Sequence, residues 1–358
     1  MMPNPLAGVG FHWLGGLASA SFYVPYRGVR RWSWEIYWLT GGVVSWLIAP
    51  WLFASLRTND LPGVLAAAPA AAIAWPVVFG MLWGIGGLTY GLTMRYLGLS
   101  LGMAVVLGLC TVFGTLVPPI FQGDFSAKLL DSTSGRIILL GLAVTLAGII
   151  VVALAGARKD ASLSPEAKRA VVAEFDFRRG IGVAIFSGIM SSCFAFGLAA
   201  GEPIKALSIG VGTDPLWAGL PVLCLVMGGG LVTNGVWCSI LIARNRSAGQ
   251  WVGRVPIESD GTAARPPLAR NFSLCALAGL AWYFQFFFYT MGESQMGRFG
   301  FSSWTLHMAS IIIFGTLWGF AFREWRDAAP QVRNTVWYGV ALLVLATFVI
   351  GYGNGLAA

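Results

Sequence analysis

Charged side chains are scarce in this sequence. They make up 11% of its 358 residues, whereas 57% of the residues are hydrophobic and the mean hydropathy is +0.73. Soluble domains carry roughly 25% charged residues, so this scarcity excludes an ordinary soluble enzyme. A disordered chain is excluded as well, because disorder depends on abundant charge and few apolar residues. The composition therefore predicts an integral membrane protein.

Residues that bind metals are also few. The chain has two histidines and five cysteines, and each cysteine lies alone inside an apolar segment, without the paired spacing of a zinc site. We therefore expect buried free thiols, no metal and no cofactor. The cysteines are Cys110, Cys193, Cys224, Cys238 and Cys275.

Long apolar runs dominate what is present. A helix needs about 20 apolar residues to cross the hydrocarbon layer, and the strands of a membrane barrel would alternate in polarity instead. Ten continuously apolar runs lie between charged breaks. The sequence thus predicts an all-α integral membrane protein with ten transmembrane helices, at residues 8–26, 34–53, 75–96, 99–121, 136–155, 180–200, 215–243, 272–291, 301–322 and 334–354.

The basic residues lie mainly in short segments between these runs. If the first loop, with Arg27, Arg30 and Arg31, is cytoplasmic, alternation places 18 of the 23 Lys and Arg residues on the cytoplasmic side. Cytoplasmic loops of membrane proteins carry such an excess. We therefore expect both termini on the outer side of the membrane. The net charge of +8 is interpreted as a topology signal and not as a surface for nucleic acid.

The first five runs recur weakly in the second five. Gly-x2-Trp-x6-Tyr occurs in the third run and again in the eighth, 199 residues later, and three further motifs recur in the same order. Four matches in one order indicate an internal duplication. The matched motifs begin at Gly80 and Gly279, at Phe113 and Phe314, at Gly16 and Gly188, and at Gly41 and Gly229.

Each copy contains five spans, which is an odd number, so the second copy is expected to cross the membrane in the opposite sense. Inverted repeats around a site near the bilayer midplane are the architecture of secondary transporters. The predicted organisation is a first five-helix repeat at residues 1–156, a cytoplasmic connector at 157–179 and a second five-helix repeat at 180–358.

Six stretches of the sequence carry a family resemblance, and the similarity extends in order over nearly the whole chain. They are Ser19–Tyr26, Arg31–Glu35, Gly91–Gly98, Gly212–Leu216, Gln285–Tyr289 and Ser303–Met308. In them the chain resembles the L-rhamnose/proton symporters of the drug/metabolite transporter superfamily. The resemblance implies ten helices in two inverted repeats. It also implies proton-driven uptake of L-rhamnose, with L-lyxose and L-mannose as further candidates, across a bacterial inner membrane.

A neutral deoxysugar needs uncharged hydrogen-bonding groups beside aromatic surfaces. Polar side chains are costly in hydrocarbon and tend to face the bundle interior, so those within the runs are the candidates. Trp282, Gln285 and Tyr289 share one helical face. For the aromatic residues, packing or an interfacial position is the simpler alternative. The candidate sugar-binding residues are Ser19, Tyr23, Trp83, Tyr90, Asn234, Trp282, Gln285, Tyr289, Trp304 and His307.

Proton coupling needs a group that can gain and lose charge. His307 titrates near physiological pH, and the two carboxylates closest to span starts are Glu35 and Asp214. These three are the candidates for proton coupling. Each has a structural alternative, since the histidine can pack in a neutral form and either carboxylate can cap a helix or oppose its dipole. The remaining titratable residues near spans are expected to be structural: His12, Glu202 and Glu293.

Two other function classes are open to a chain of this kind. The first is a transporter of the same superfamily that moves a different small metabolite or a drug. Cationic drugs would favour a carboxylate deep within a span, and none is present. The second is a membrane enzyme, which would present clustered acids, histidines or metal ligands. Because the sequence contains no such cluster, we expect a transporter and not an enzyme.

Overall fold

Long helices make up nearly all of the structure, which is a computed structural model. It describes residues 3–97, 99–162, 176–254 and 265–356, and no strand occurs within them. Gly98 and most of the expected connector at 157–179 lie outside the described residues. The principal helices are α1 (Pro5–Ser21), α2 (Trp34–Arg57), α3 (Ala70–Leu97), α4 (Leu99–Phe121), α5 (Thr133–Ala161), α6 (Phe177–Ala200), α7 (Leu220–Asn245), α8 (Leu268–Ser294), α9 (Ser303–Ala321) and α10 (Pro330–Gly355).

Nine of these helices, α2 to α10, are long and apolar enough to cross a membrane. The first helix, α1, has 17 residues and is followed by one further helical turn at Tyr23–Tyr26. Within the described ranges the structure therefore shows an all-helical protein with nine candidate membrane-spanning helices, one fewer than the sequence predicted.

Prolines and caps set several helix boundaries. Asn4 accepts a hydrogen bond from the backbone of Ala7 and so caps α1, whose first residue is Pro5. The expected span at 215–243 starts later, because Asp214 caps a separate 3₁₀ turn and α7 begins only at Leu220.

The helix α2 is continuous but not regular. Its residues Val44–Ile48 form a π-helical turn directly before Pro50. Proline lacks a backbone N–H and crowds the preceding turn, and a wider turn relieves that crowding. The proline therefore alters the pitch of α2 locally without ending the helix.

The two halves of the chain interlock, because most helices pack against partners from the other half. In the first half, α1 lies antiparallel to α8 and parallel to α9. In the second half, α6 lies antiparallel to α3 and parallel to α4. The parallel pairs α2–α8 and α7–α3 follow the same correspondence, while α5 and α10 pack antiparallel against each other. The main contacts of one half thus recur with the halves exchanged.

Glycines allow two of these helix pairs, α2–α8 and α3–α7, to cross at an especially short distance. A Cβ atom on Gly279 of α8 would lie 3.0 Å from the carbonyl carbon of Gly41 in α2, and one on Gly229 of α7 would lie 2.9 Å from the Cα atom of Gly80 in α3. No larger residue fits at either place. The backbones are therefore in direct contact, as small residues permit in membrane helices.

The loops that connect the helices also form hydrogen bonds between the two halves, at opposite ends of the molecule. At one end, the backbone N–H of Ser33, before α2, donates to the side-chain oxygen of Gln250, after α7, at 2.7 Å. At the other end, the backbone N–H of Asn59, after α2, donates to the hydroxyl of Thr213, before α7, at 2.9 Å. These hydrogen bonds hold α2 and α7 together at both ends.

Candidate functional site: a central aromatic cavity

A cavity lies at the centre of the helices, between α1, α2, α3, α4, α6, α7, α8 and α9. Its volume is about 310 Å³, at the lower end of the range of small-molecule sites. We call it the central cavity. Seven of the ten predicted sugar-binding residues line it: Ser19, Trp83, Tyr90, Asn234, Trp282, Gln285 and Trp304.

Tryptophan rings form the walls of the central cavity. Trp83 and Trp282 lie near the middle of α3 and α8, with ring planes 16° apart and centroids 6.4 Å apart. Trp38 of α2 adds a third ring, whose centroid lies 6.5 Å from that of Trp282. Such flat apolar surfaces suit the apolar face of a sugar ring. Trp38 was not predicted, because the sequence does not show which face of α2 points inward.

Three polar groups of residues that line the central cavity have no hydrogen-bond partner among the described residues. They are the Nε1 atoms of Trp46 and Trp282 and the Nε2 atom of Gln285, a residue that is 2% exposed. A buried donor without a partner costs about 1–3 kcal/mol. An indole or amide N–H that lacks a partner can donate to a sugar hydroxyl, and an amide can accept a hydrogen bond as well.

Asn234 also lines the central cavity, but its amide is engaged within the protein. The indole of Trp38 donates to its Oδ1 atom at 3.1 Å, and its Nδ2 atom donates to the carbonyl of Gly230 at 3.0 Å. Both hydrogen bonds are made to groups in α2 and α7. Asn234 thus orients Trp38 and holds these two helices together.

Three of the predicted sugar-binding residues do not line the central cavity. Tyr23 is 45% exposed, and its hydroxyl lies 3.2 Å from the hydroxyl of Tyr37. Tyr289 and His307 lie behind Trp304, with ring centroids 5.7 Å and 6.3 Å from the centroid of that tryptophan. The last two therefore adjoin the cavity wall without reaching the cavity.

A second cavity, of about 550 Å³, reaches the surface beside the C-terminal ends of α4, α6 and α8. We call it the vestibule. The start of α1 and the end of α10 lie at the same end of the molecule, since the backbone N–H of Asn4 donates to Gln295 and the side chain of Asn354 donates to Ser302. The vestibule opens at the end where both chain termini are found.

A layer of aromatic side chains separates the vestibule from the central cavity. The rings of Phe194 and Phe286 stack with centroids 3.9 Å apart, and the ring of Trp304 stacks on the other side of Phe194 at 6.0 Å. The indole N–H of Trp304 donates to the carbonyl of Cys110 at 3.0 Å. This layer, formed by Phe194, Phe286 and Trp304, closes the central cavity on the vestibule side.

An ion pair lies in the wall of the vestibule. The Nζ atom of Lys205 is 2.7 Å from Glu293 and 2.8 Å from Glu202, and the side chains of Lys205 and Glu293 are only 12% and 18% exposed. Glu293 therefore lies in the last turn of α8 as one partner of a mostly buried ion pair. The sequence gave no sign of this ion pair, because nothing in the short segment around Lys205 indicates burial.

Two of the proton-coupling candidates, Glu35 and Asp214, line neither cavity. The Oε1 atom of Glu35 accepts hydrogen bonds from the hydroxyl of Ser247 at 2.8 Å and from the amide of Asn245 at 3.1 Å, which ties α2 to the end of α7. Asp214 accepts a hydrogen bond from the backbone N–H of Leu216 at 2.9 Å. Both carboxylates thus make the capping and bridging contacts of structural groups.

The third candidate, His307, has a neighbour that sequence reasoning did not place beside it. Its ring centroid lies 6.4 Å from that of His12. The ring of Tyr289 contacts both histidines, with centroids 5.4 Å from His12 and 5.3 Å from His307. Both histidines are fully buried. Their proximity could not be read from the sequence, because they come from opposite ends of the chain.

The chain is similar over nearly its whole length to known proteins. A family described as L-rhamnose-proton symport protein matches residues 2–358. The L-rhamnose-proton symporter of Cronobacter sakazakii is 36% identical over 347 residues, which cover 97% of each chain. Those of Salmonella paratyphi B and Salmonella newport are each 35% identical over 347 residues, with the same coverage. The chain belongs to the L-rhamnose-proton symport protein family.

Proposed function

We propose that this protein takes up L-rhamnose together with protons and binds the sugar in the central cavity. The observation that carries the proposal is the pair of tryptophan walls, Trp83 and Trp282, beside the unpartnered amide of Gln285. The walls suit the apolar face and methyl group of a deoxysugar, and the amide suits its hydroxyls. The related proteins are named for the same transport.

L-Mannose and L-lyxose are proposed as further substrates. L-Rhamnose is 6-deoxy-L-mannose, and L-lyxose has the same hydroxyl configuration at C2, C3 and C4. The central cavity meets the sugar mainly with aromatic rings and only a few polar groups. Such a wall offers few polar groups that could distinguish between sugars that share this hydroxyl arrangement.

The proposed architecture is ten membrane spans in two inverted five-helix repeats, residues 1–156 and 180–358. Its support is the exchange of packing partners between the halves, together with the glycine crossings Gly41–Gly279 and Gly80–Gly229. The four glycines belong to motifs that recur in the sequence. With α1 and its following turn as the first span, each half has five spans and the halves run in opposite senses.

The proposed location is the bacterial inner membrane, with both termini in the periplasm. The distribution of Lys and Arg supports this orientation. The vestibule lies at the end of the molecule that carries the termini, so in this orientation it opens to the periplasm. Sugar would then approach through the vestibule and cross the aromatic layer to reach the central cavity.

For the proton carrier we propose His307 ahead of Glu35 and Asp214. A carrier must change charge while it influences the sugar site. His307 adjoins Trp304 and Phe286, which line the central cavity, with ring centroids 6.3 Å and 6.2 Å away. The two carboxylates are engaged in capping and bridging hydrogen bonds and line neither cavity.

The test is transport in liposomes that contain the purified protein. With an inward proton gradient, labelled L-rhamnose should accumulate, and a protonophore should abolish the accumulation. His307→Gln should retain exchange of sugar between the two sides and lose accumulation, while Glu35→Gln and Asp214→Asn should keep both. Folded wild-type protein that moves no L-rhamnose would refute the proposed substrate. Accumulation by His307→Gln would refute the proposed carrier.

A further inference from the structure

The two histidines of the chain, His12 and His307, lie side by side in the interior. Neither ring nitrogen of either residue has a hydrogen-bond partner among the residues that the structure describes. Buried polar groups in proteins are almost always hydrogen-bonded. Four unpaired ring nitrogens on two adjacent imidazoles are therefore hard to explain as packing.

Glycines on the neighbouring backbones make room for both rings. A Cβ atom on Gly292 of α8 would lie 2.7 Å from the Cε1 and Nε2 atoms of His12. One on Gly15 of α1 would lie 3.3 Å from the Cε1 atom of His307. Any larger residue at Gly292 would displace His12. The space for the histidine pair is thus built into the helices that surround it.

The surroundings of the pair contain few groups that could titrate or carry charge. Tyr289 of α8 contacts both rings, and the sequences of α1, α4 and α9 contain no charged residue. The nearest acid along α8 is Glu293, which is paired with Lys205. The only charged residue of α10 is Arg333, in its first turn. A proton that reaches this place can therefore be held by the imidazoles and by little else.

We propose that His12 and His307 together form one proton site, which holds a single proton and is loaded from the vestibule past Tyr289. This inference rests on the proposed proton-coupled transport and adds a second residue and a limit of one proton. Tyr289 lines the vestibule and contacts both histidines. Two like charges at a ring distance of 6.4 Å repel strongly in a medium of low dielectric constant, so the first proton excludes a second.

The position of the site explains how the proton could act on the sugar. His307 adjoins Trp304, which belongs both to the aromatic layer and to the wall of the central cavity. An imidazolium is attracted to the face of a tryptophan ring, whereas a neutral imidazole is not attracted in this way. Loading the pair with a proton therefore changes the forces on a residue that closes the sugar site.

The first test needs no sugar. Because the chain has two histidines, ring-¹⁵N-histidine labelling gives the signals of these two residues alone, provided that the affinity tag lacks histidine. His12→Gln and His307→Gln assign the two pairs of signals. In wild-type protein in nanodiscs, we expect the signals of both residues to move together with pH and to report one bound proton in total. In each variant, the remaining histidine should bind a proton only at lower pH than the pair does, because the second imidazole no longer stabilises the charged ring. Two independent full protonations in the wild type, or none in any protein, would overturn the proposal.

The second test is transport. His12→Gln should lose accumulation of L-rhamnose at least tenfold, as His307→Gln does, and the double variant should be no worse than either single one. Sugar exchange verifies that each variant is folded. If His12→Gln accumulates L-rhamnose at the wild-type level, the proposal that the two histidines form one proton site is wrong. If wild-type protein moves no L-rhamnose, the proposed substrate fails, and the labelled-histidine titration still decides whether the pair exists.

Discussion

Trp83 and Trp282 face each other nearly in parallel at the centre of the protein, with 6.4 Å between their ring centroids. They stand at the same position of the motif that recurs in the third and eighth apolar runs. One ring comes from α3 and the other from α8, so each half of the chain contributes one wall. The cavity that both rings line is therefore sensitive to any movement of one half against the other.

Removal of one wall should weaken sugar binding. We expect Trp282→Ala to raise the dissociation constant for L-rhamnose at least tenfold, which corresponds to about 1.4 kcal/mol, and Trp282→Phe to retain most of the affinity because a flat ring remains. Calorimetric titration of the protein in detergent measures both. The control is Trp237→Ala, since Trp237 is 45% exposed on the outside of α7. Equal affinity of Trp282→Ala and wild type would contradict the proposed site.

The two amides of the central cavity should respond differently to replacement by leucine. Gln285→Leu removes a group whose Nε2 atom has no partner within the described residues. It should therefore lower affinity about tenfold or more and leave the melting temperature nearly unchanged. Asn234→Leu breaks two hydrogen bonds and leaves the buried indole N–H of Trp38 unpaired, at a cost of about 1–3 kcal/mol. Its melting temperature should fall. The same response from both variants would contradict these roles.

Gly87 offers a way to fill the central cavity without disturbing the packing. It lines the cavity, and a Cβ atom there would have no atom within 4 Å. Gly87→Leu should therefore fold normally and block both binding and exchange of L-rhamnose. Gly91→Leu is the matched control, because Gly91 lies one turn further along α3, has the same free space and does not line the cavity. Transport by Gly87→Leu at the level of Gly91→Leu would argue against sugar binding in this cavity.

The ion pair in the vestibule should stabilise the protein only as a pair. Lys205→Met leaves Glu293 as a mostly buried carboxylate without its partner, and such a change costs about 3–5 kcal/mol in fully buried pairs. We expect about 2 kcal/mol here, because both side chains are partly exposed. The double variant Lys205→Met with Glu293→Gln should regain much of the lost melting temperature. Glu202→Gln should change little, since Glu202 is 57% exposed. A double variant less stable than Lys205→Met would contradict this account.

Much of the helical framework could be predicted because a bilayer imposes a simple rule. A continuous apolar run of sufficient length becomes a helix, and nine candidate membrane-spanning helices follow the predicted runs within the described residues. The deviations occur where local chemistry competes with hydropathy. The helix α1 ends at Ser21 before a separate turn, and α7 starts at Leu220 after the 3₁₀ turn that Asp214 caps.

The site was predictable as a set of residue types but not as a set of contacts. Polar residues within spans tend to face the bundle interior, which is why Gln285 could be selected from the sequence. Trp83 and Trp304 could be selected because a sugar site also needs aromatic surfaces. Which of them meet depends on how distant helices pack. The partnership of His12 with His307, and that of Lys205 with Glu293, join segments far apart in the chain. Local sequence patterns do not indicate such long-range pairs.

The two glycine crossings, Gly41–Gly279 and Gly80–Gly229, bear on the energetics of the transport cycle. At each crossing the backbones touch without intervening side chains, so the helices can tilt there without any change of rotamer. The crossings correspond to each other when the halves are exchanged. A tilt that opens one end is then resisted by the same contacts as a tilt that opens the other. These crossings would consequently favour neither an outward-open nor an inward-open form, which leaves the binding of a proton or a sugar molecule to set the balance between them.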